Sequence, residues 1–161
     1  MKDPSFGFRY DTAVQRRQEG IMSYQEVLTF VKENPACFIA TMDGDQPRVR
    51  GFLSILFNDG KIYFTTGTMK RVYAQLSKNP HIELCYFSRD FRRTLRIAGT
   101  IEIIDDREKK QQLLNERDYL KHFGGKVDDP RFILLRLSHG KAHFWTIEQN
   151  MRENEIPVIE F

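Results

Sequence analysis

Apolar and polar residues alternate along most of the chain, which is the pattern of β-strands with one buried face. The alternation is clearest over residues 94–104, where the apolar members are Leu95, Ile97, Ile101 and Ile103. Shorter runs predict strands at 37–41, 48–57, 61–66, 82–88, 131–137 and 141–147. We expect the last two to form a hairpin around Ser138, His139 and Gly140.

Three segments instead carry apolar residues at helical spacing. The first begins at the capping pair Ser23 and Glu26 and ends before Asn34-Pro35, and the second ends before Asn79-Pro80. A third, highly charged helix follows Asp105-Asp106. Strands with a few helices inserted between them predict a mainly β fold, an antiparallel barrel and not a parallel βαβ sheet.

Composition narrows the class of protein. The 161 residues, 40% of them hydrophobic, fit one domain, and 25 basic against 22 acidic residues give no general affinity for nucleic acid. No apolar run is long enough to span a membrane and no signal peptide is apparent, so we expect a cytoplasmic protein. Cys37 and Cys85 lie in apolar runs as reduced thiols, without metal-binding spacing. Residues 1–21 suggest an N-terminal arm or an expression remnant, and 22–161 the domain with its C-terminal tail.

The turn between the 61–66 strand and the second helix has the composition of an anion site. It carries Thr65, Thr66, Gly67, Thr68 and Lys70. Backbone N–H groups at a helix N-terminus have no intrahelical partner and attract anions. An ordinary capped turn has the same composition.

A second basic segment supports the anion site. Arg48 and Arg50 are two positions apart on one strand, so both leave the same face while Val49 leaves the other. The following hairpin returns the 61–66 strand antiparallel, which predicts that the arginines approach the threonines and Lys70. The alternative is a solvated face paired to Asp43 or Asp45.

An ordered set of short motifs then resembles a known family. They are Cys37-Phe-Ile-Ala-Thr41, Pro47-Arg-Val-Arg-Gly-Phe52, Ile62-Tyr-Phe-Thr-Thr66, the helix led by Lys70, Leu95-Arg-Ile-Ala-Gly99 and His143-Phe-Trp-Thr146. Together they resemble the pyridoxamine 5′-phosphate oxidase-like, FMN-binding split-barrel superfamily, over roughly 22–151. The resemblance implies a six-stranded antiparallel split β-barrel and a homodimer with FMN in each of two clefts between the subunits.

The resemblance also implies the residues that bind FMN. Arg50, or Arg48 in the other register, resembles a phosphate-binding arginine, and Thr68 and Lys70 match residues that hold the phosphate. Trp145 matches an aromatic that reaches the flavin from the partner subunit. The complete cofactor-binding set is Arg48, Val49, Arg50, Gly51, Phe52, Thr65, Thr66, Thr68, Lys70, Thr94 and Trp145.

Two departures argue against vitamin B6 phosphate as the substrate. Thr94 stands where the true oxidases carry glutamine, and Asn150-Met151-Arg152 replaces their Arg-x-His motif. The chain is closer to the flavin reductase-like branch of the superfamily. We therefore predict an FMN-dependent oxidoreductase acting on an unidentified small molecule, in which the flavin does the redox chemistry and no side chain is assigned a catalytic role.

Several alternatives stay open. A haem-binding relative on the same fold would use His139 or His143 as an axial ligand, and a deazaflavin could replace FMN. The protein could also be a non-catalytic flavin-binding module. A nucleic-acid binder would use the basic cluster Arg89, Arg92, Arg93 and Arg96, interleaved with Phe87 and Phe91, although a solvated hairpin tip explains the same residues.

Overall fold

A computed structural model describes residues 24–122 and 124–161. Helix α1 occupies residues 24–33. The elements after it are β1 (Ala36–Asp43), β2 (Gln46–Leu53), β3 (Ile55–Leu56), β4 (Ile62–Gly67), α2 (Arg71–Lys78), β5 (His81–Phe87), β6 (Arg93–Ile104), α3 (Arg107–Glu116), α4 (Tyr119–His122), β7 (Phe132–Thr146) and β8 (Ile159–Glu160).

All eight strands belong to one curled antiparallel sheet, consistent with a split barrel. Its order is β2-β1-β5-β6-β7-β4-β3, with β8 paired to β7. The two ends of this order, β2 and β3, are separated in the chain by Ser54 alone. The sheet therefore curls until its two edges meet at one residue, which forms a seam.

The inner face of the curled sheet is filled by the main core. Strand residues such as Ile39, Phe64 and Leu84 lie against Val27 of α1 and Val72 of α2, and all of them are buried. A second, smaller core lies where α3 and α4 cover another part of the sheet. Burial of these apolar faces is the main force that holds the helices on the sheet.

The predicted number of six strands is wrong. The structure contains six longer strands and two short ones of two residues each, β3 and β8. The predicted strand 48–57 is split because Ser54 leaves the β1 pairing, and its backbone N–H donates to the carbonyl of Pro35 at 2.8 Å. Residues 55–56, on the other side of the seam, then pair with β4.

The predicted hairpin around Ser138, His139 and Gly140 is also wrong, because β7 runs through it without a turn. The register between β6 and β7 shifts after Gly99, which lies opposite Gly140. A Cβ on Gly99 would come within 2.8 Å of the His139 carbonyl oxygen, and one on Gly140 within 2.8 Å of the Ala98 carbonyl oxygen. These glycines let β6 and β7 approach closely at the register shift. Glycine is also typical of turns, which is why the sequence predicts a hairpin here.

Most other predicted elements are confirmed within a few residues. The third helix, however, is broken between α3 and α4, where Arg117 donates to the carbonyl of Ser54 at 3.3 Å. Within the described residues no helix is long and apolar enough to cross a membrane. The predicted N-terminal arm and the capping residue Ser23 lie outside the described residues.

Candidate functional site

The turn from β4 to α2 encloses a cavity of about 360 Å3. Thr66 is buried at the end of β4 with 4% of its surface exposed, and its hydroxyl finds no hydrogen-bond partner within the described residues. Buried hydroxyls are nearly always bonded. An unbonded one at the wall of a cavity fits a site that binds a polar ligand.

The start of α2 adds positive electrostatic potential to this cavity. Lys70 is the N-cap residue and its side chain makes no capping hydrogen bond. The Tyr73 amide donates to the Lys70 carbonyl at 3.0 Å, whereas the amides of Arg71 and Val72 have no such partner among the described residues. The first turn contains no acidic residue. Among the described residues, Lys70 also makes no ion pair, which leaves its ammonium group available to an anion.

The opposite wall of the cavity comes from the segment before β7, which the sequence did not indicate. It includes Gly124, Gly125 and Arg131. The Thr68 N–H donates to the Arg131 carbonyl at 2.9 Å, so this segment is fastened to the turn. Arg131 is paired with Asp129 at 2.7 Å and its hydrogen bonds hold the pKa of Asp129 at about 2. This arginine is therefore already neutralised, unlike Lys70.

Arg50 approaches α2 from the inner face of β2. One guanidinium nitrogen donates to the Thr41 hydroxyl at 2.7 Å and the other to the Gln75 side-chain oxygen at 2.9 Å. Only residues 55–56 of the predicted strand 48–57 pair with β4, whereas the arginine-bearing part pairs with β1. The Phe52 and Phe64 rings lie 5.7 Å apart across the seam, so β2 and β4 do meet there. Neither Arg48 nor Arg50 lines the cavity at the β4 turn, and the predicted approach of the arginines to the threonines and Lys70 stays a prediction.

The two arginines differ in their partners. Arg48 pairs with Asp43 at 3.4 Å, as the solvated alternative predicted. Arg50 has no carboxylate within ion-pair distance among the described residues. Desolvation and, secondly, the nearby charge of Arg48 lower the pKa of Arg50, while Asp43 raises it. Arg50 is thus a half-buried cation without an ion-pair partner among the described residues.

The outer face of β1 and β2 is apolar and exposed. Phe38 is 51% exposed and Leu53 49% exposed, and Val49 lies on the same face. Phe87 packs edge-on to Phe38, with ring centroids 6.4 Å apart. We call Phe38, Val49, Leu53 and Phe87 the outer apolar face.

Thr94 and Trp145 lie at the opposite end of β7 from the β4 turn. They are paired with each other at the start of β6 and the end of β7. Gly67, at the end of β4, pairs with Phe132 at the other end of β7. At about 3.3 Å per residue, the 15-residue strand β7 separates the two groups by roughly 40 Å along its path.

Some of the residues predicted for the alternative nucleic-acid and haem sites already form ion pairs within the chain. Arg93 pairs with Glu26, and Arg96 pairs with Glu83 and Glu153. Two of the four arginines proposed for nucleic acid are therefore occupied. Of the two candidate haem ligands, His139 is exposed, whereas the Nε2 atom of His143 is buried without a hydrogen-bond partner in the described part of the chain.

Comparison with known proteins adds a family match. The family model described as pyridoxamine 5′-phosphate oxidase matches residues 24–146. A curated pyridoxine/pyridoxamine 5′-phosphate oxidase from Psychrobacter is 29% identical over 102 residues, which are 63% of this chain and 47% of that protein. The chain thus spans about half the length of the curated relatives it matches.

Solved structures share the fold. A NimC/NimA family protein from Clostridium acetobutylicum is 27% identical with a TM-score of 0.73, covering 86% of this chain and 94% of that one. A pyridoxamine 5′-phosphate oxidase-related, FMN-binding protein from Nostoc punctiforme is 16% identical with a TM-score of 0.58, covering 85% and 95%. A heme-binding protein from Mycobacterium smegmatis is 13% identical with a TM-score of 0.65, covering 86% and 57%.

Proposed function

Because the chain belongs to the pyridoxamine 5′-phosphate oxidase family, we propose that it binds FMN and serves as a flavin-dependent oxidoreductase for a small molecule. The observation that carries this proposal is the cavity at the β4 turn, where the unbonded Thr66 hydroxyl and the unpaired Lys70 lie at the start of α2. A phosphate monoester needs several donors and a positive charge, and this turn offers both.

The chain's own residues would hold the cofactor in distinct ways. Thr66 donates its hydroxyl to a phosphate oxygen, Lys70 supplies a point charge, and Arg50 supplies a planar fork of donors. Gly51 and Phe52 offer backbone groups to the flavin ring. The flavin, once bound, supplies the transfer of a hydride or an electron pair between donor and substrate. The protein binds it, orients it and excludes water from it.

We also propose a homodimer with the flavin at the interface. Thr94 and Trp145 lie at the far end of β7 from the β4 turn, which favours a second copy as the source of the Trp145 that meets the flavin. A second copy seated on the outer apolar face would cover Phe38 and Leu53, whose exposure is costly for a monomer. It would also carry its own Trp145 towards the first copy's turn.

We propose that the substrate is a small molecule other than a vitamin B6 phosphate. The reason is that Thr94 and Asn150-Met151-Arg152 differ from the residues that the true oxidases carry at these positions. We place the protein in the cytoplasm because Cys37 and Cys85 are both free thiols, which persist in a reducing compartment.

The visible spectrum of the purified protein, before and after adding FMN, tests the proposal. Flavin absorption bands retained near one equivalent per chain after gel filtration support it. A colourless protein that leaves added FMN in the small-molecule fraction contradicts it. A Soret band in the spectrum would show that the protein binds haem instead of FMN. Displacement of bound FMN by added deazaflavin would show that deazaflavin is the preferred cofactor.

A further inference from the structure

Gln75 is a buried polar residue on the helix face that packs against the sheet. It is 6% exposed and lies between the buried apolar residues Val72 and Leu76 of α2. Its side-chain oxygen accepts two hydrogen bonds, from the Thr41 hydroxyl at 2.8 Å and from Arg50 at 2.9 Å. Thr41 is 2% exposed and accepts a bond from the other terminal nitrogen of Arg50.

The cluster of Thr41, Arg50 and Gln75 differs from other arginine sites on the sheet because it contains no carboxylate. Other arginines on neighbouring strands pair with glutamates, as Arg96 does with Glu83 at 2.6 Å and Arg136 with Glu102 at 2.6 Å. Arg50 is held by a neutral amide and a neutral hydroxyl. Its guanidinium is thus fixed in position while its positive charge stays uncompensated, which is costly unless another anion arrives.

The geometry also leaves donors free. A guanidinium carries five N–H donors, and the cluster uses one on each terminal nitrogen. Because both terminal nitrogens are tied to the sheet and to α2, the plane of the group is set by the fold and not by solvent. The remaining donors can meet an anion without further loss of side-chain freedom.

We propose that Gln75, with Thr41, is the positioning residue that presents Arg50 as an uncompensated cation to a phosphate monoester. This rests on the proposed function, since the phosphate is taken to be that of FMN. Gln75 does not contact the ligand. It acts through Arg50, and its neutral amide is what distinguishes it from the glutamate that would bind the same arginine more tightly.

The test is the substitution Gln75→Glu, which keeps the shape of the side chain and adds one negative charge. Dissociation constants for FMN and for riboflavin are measured by flavin fluorescence, and thermal unfolding is followed without ligand. We expect FMN affinity to fall about tenfold or more while riboflavin affinity changes little, because the glutamate neutralises the charge that Arg50 would present to the phosphate. The melting temperature should stay equal or rise, since Arg50 gains an ion-pair partner.

Ser77→Glu is the matched control. Ser77 lies on the exposed side of the same helix, so the added charge is equal but lies away from Arg50. FMN and riboflavin affinities should both stay within about twofold of the wild type. Thr41→Ser, which keeps the hydroxyl, should retain FMN affinity, and Thr41→Val should lose part of it.

Every outcome decides a claim. If wild-type protein binds neither flavin, the proposed function fails and the inference fails with it. If it binds both flavins equally, the flavin assignment survives but the positioning role is wrong. If the wild type prefers FMN and Gln75→Glu keeps that preference, the positioning role of Gln75 is wrong, while the proposed binding of FMN is supported. A fall in melting temperature with equal losses for both flavins would show a merely structural role.

Discussion

Gly51 lies directly opposite Phe38 in the pairing of β2 with β1, and a Cβ added to Gly51 would meet no atom within 4 Å. Its φ is not positive, so the backbone does not demand glycine either. Nothing within the described chain therefore explains this glycine. Under the proposed function, a glycine is required at position 51 because the flavin ring or a second copy of the chain approaches the backbone closely there.

Gly51→Ala should therefore leave the fold intact and weaken the ligand. We expect an unchanged or slightly higher melting temperature, because alanine lowers the entropy of the unfolded chain. FMN affinity should fall by about 1 kcal/mol, roughly fivefold, because a methyl group obstructs the approach. Isothermal titration measures the second effect. Unchanged FMN affinity would remove Gly51 from the site.

Gly99→Ala is the matched control for that substitution. Its Cβ would come within 2.8 Å of the His139 carbonyl oxygen. We expect a loss of about 1–3 kcal/mol in the free energy of unfolding, measured in urea, since backbone atoms must move. Equal stability of the two alanine variants would contradict the close approach of β6 and β7.

Lys70→Ala should weaken FMN much more than riboflavin. The substitution removes a charged contact to phosphate and leaves the ring contacts, so we expect a loss of about tenfold for FMN alone. Lys78→Ala, in the last turn of the same helix, is the control and should change neither affinity by more than about twofold. Equal losses for both flavins would refute a phosphate role for Lys70.

Phe38→Asp should separate the proposed dimer. A carboxylate placed on the outer apolar face must be desolvated on association, so the dimer dissociation constant should rise by about 100-fold or more. Sedimentation velocity gives the mass across a concentration series. Met151→Asp, at a residue that is 92% exposed, should leave the mass unchanged. A wild-type protein that stays monomeric at all concentrations would contradict the dimer.

Stability should decline at alkaline pH because buried thiol and phenol groups resist ionisation. Burial raises the pKa of Cys37 from 9.0 to about 11, partly offset by hydrogen bonds from Tyr86 and Ser54. Burial also raises the pKa of Tyr86 well above its ordinary value. Above pH 9 the unfolded chain loses a proton that the folded chain keeps, so the free energy of unfolding falls with pH.

The size of this effect can be tested at Cys37. Its contribution is fully present below pH 9, and about 2 kcal/mol of it should be lost between pH 9 and 11. Urea unfolding at intervals from pH 7 to 11 measures it. In Cys37→Ala the decline should start at a higher pH, whereas Cys85→Ala, at a half-buried thiol, should follow the wild type more closely. An identical decline in Cys37→Ala would show that this thiol is not the cause.

Much of the fold follows from local pattern, and the errors have physical reasons. Strand β6 is predicted nearly to the residue because Leu95, Ile97 and Ile101 are buried on one face, although Ile103 at its end is 41% exposed. The hairpin within β7 was wrong because Gly140 serves a close approach of two strands, and sequence does not distinguish this from a turn. The split at Ser54 depends on closure of the whole sheet, which no local window contains.

The candidate site shows the same division. The turn at Thr66 and Lys70 was visible because hydroxyls, a glycine and a lysine stand together in the chain. Gln75 was missed because a glutamine in a short helix is ordinarily exposed, and only the packing of α2 on the sheet buries it. The Gly124 wall comes from a distant segment, and nothing in its local sequence indicated the cavity.

The pairing of β4 with β7 determines when the cavity at the β4 turn can form during synthesis of the protein. Ile62 pairs with Leu137 and Gly67 with Phe132, so the strand that leads into the β4 turn has its long-range partner far downstream in the sequence. Contacts of such long sequence separation form late and slow the folding of a domain. On the ribosome, the turn stays without its second wall until β7 emerges, so under the proposed function FMN can be captured only after β7 has been synthesised.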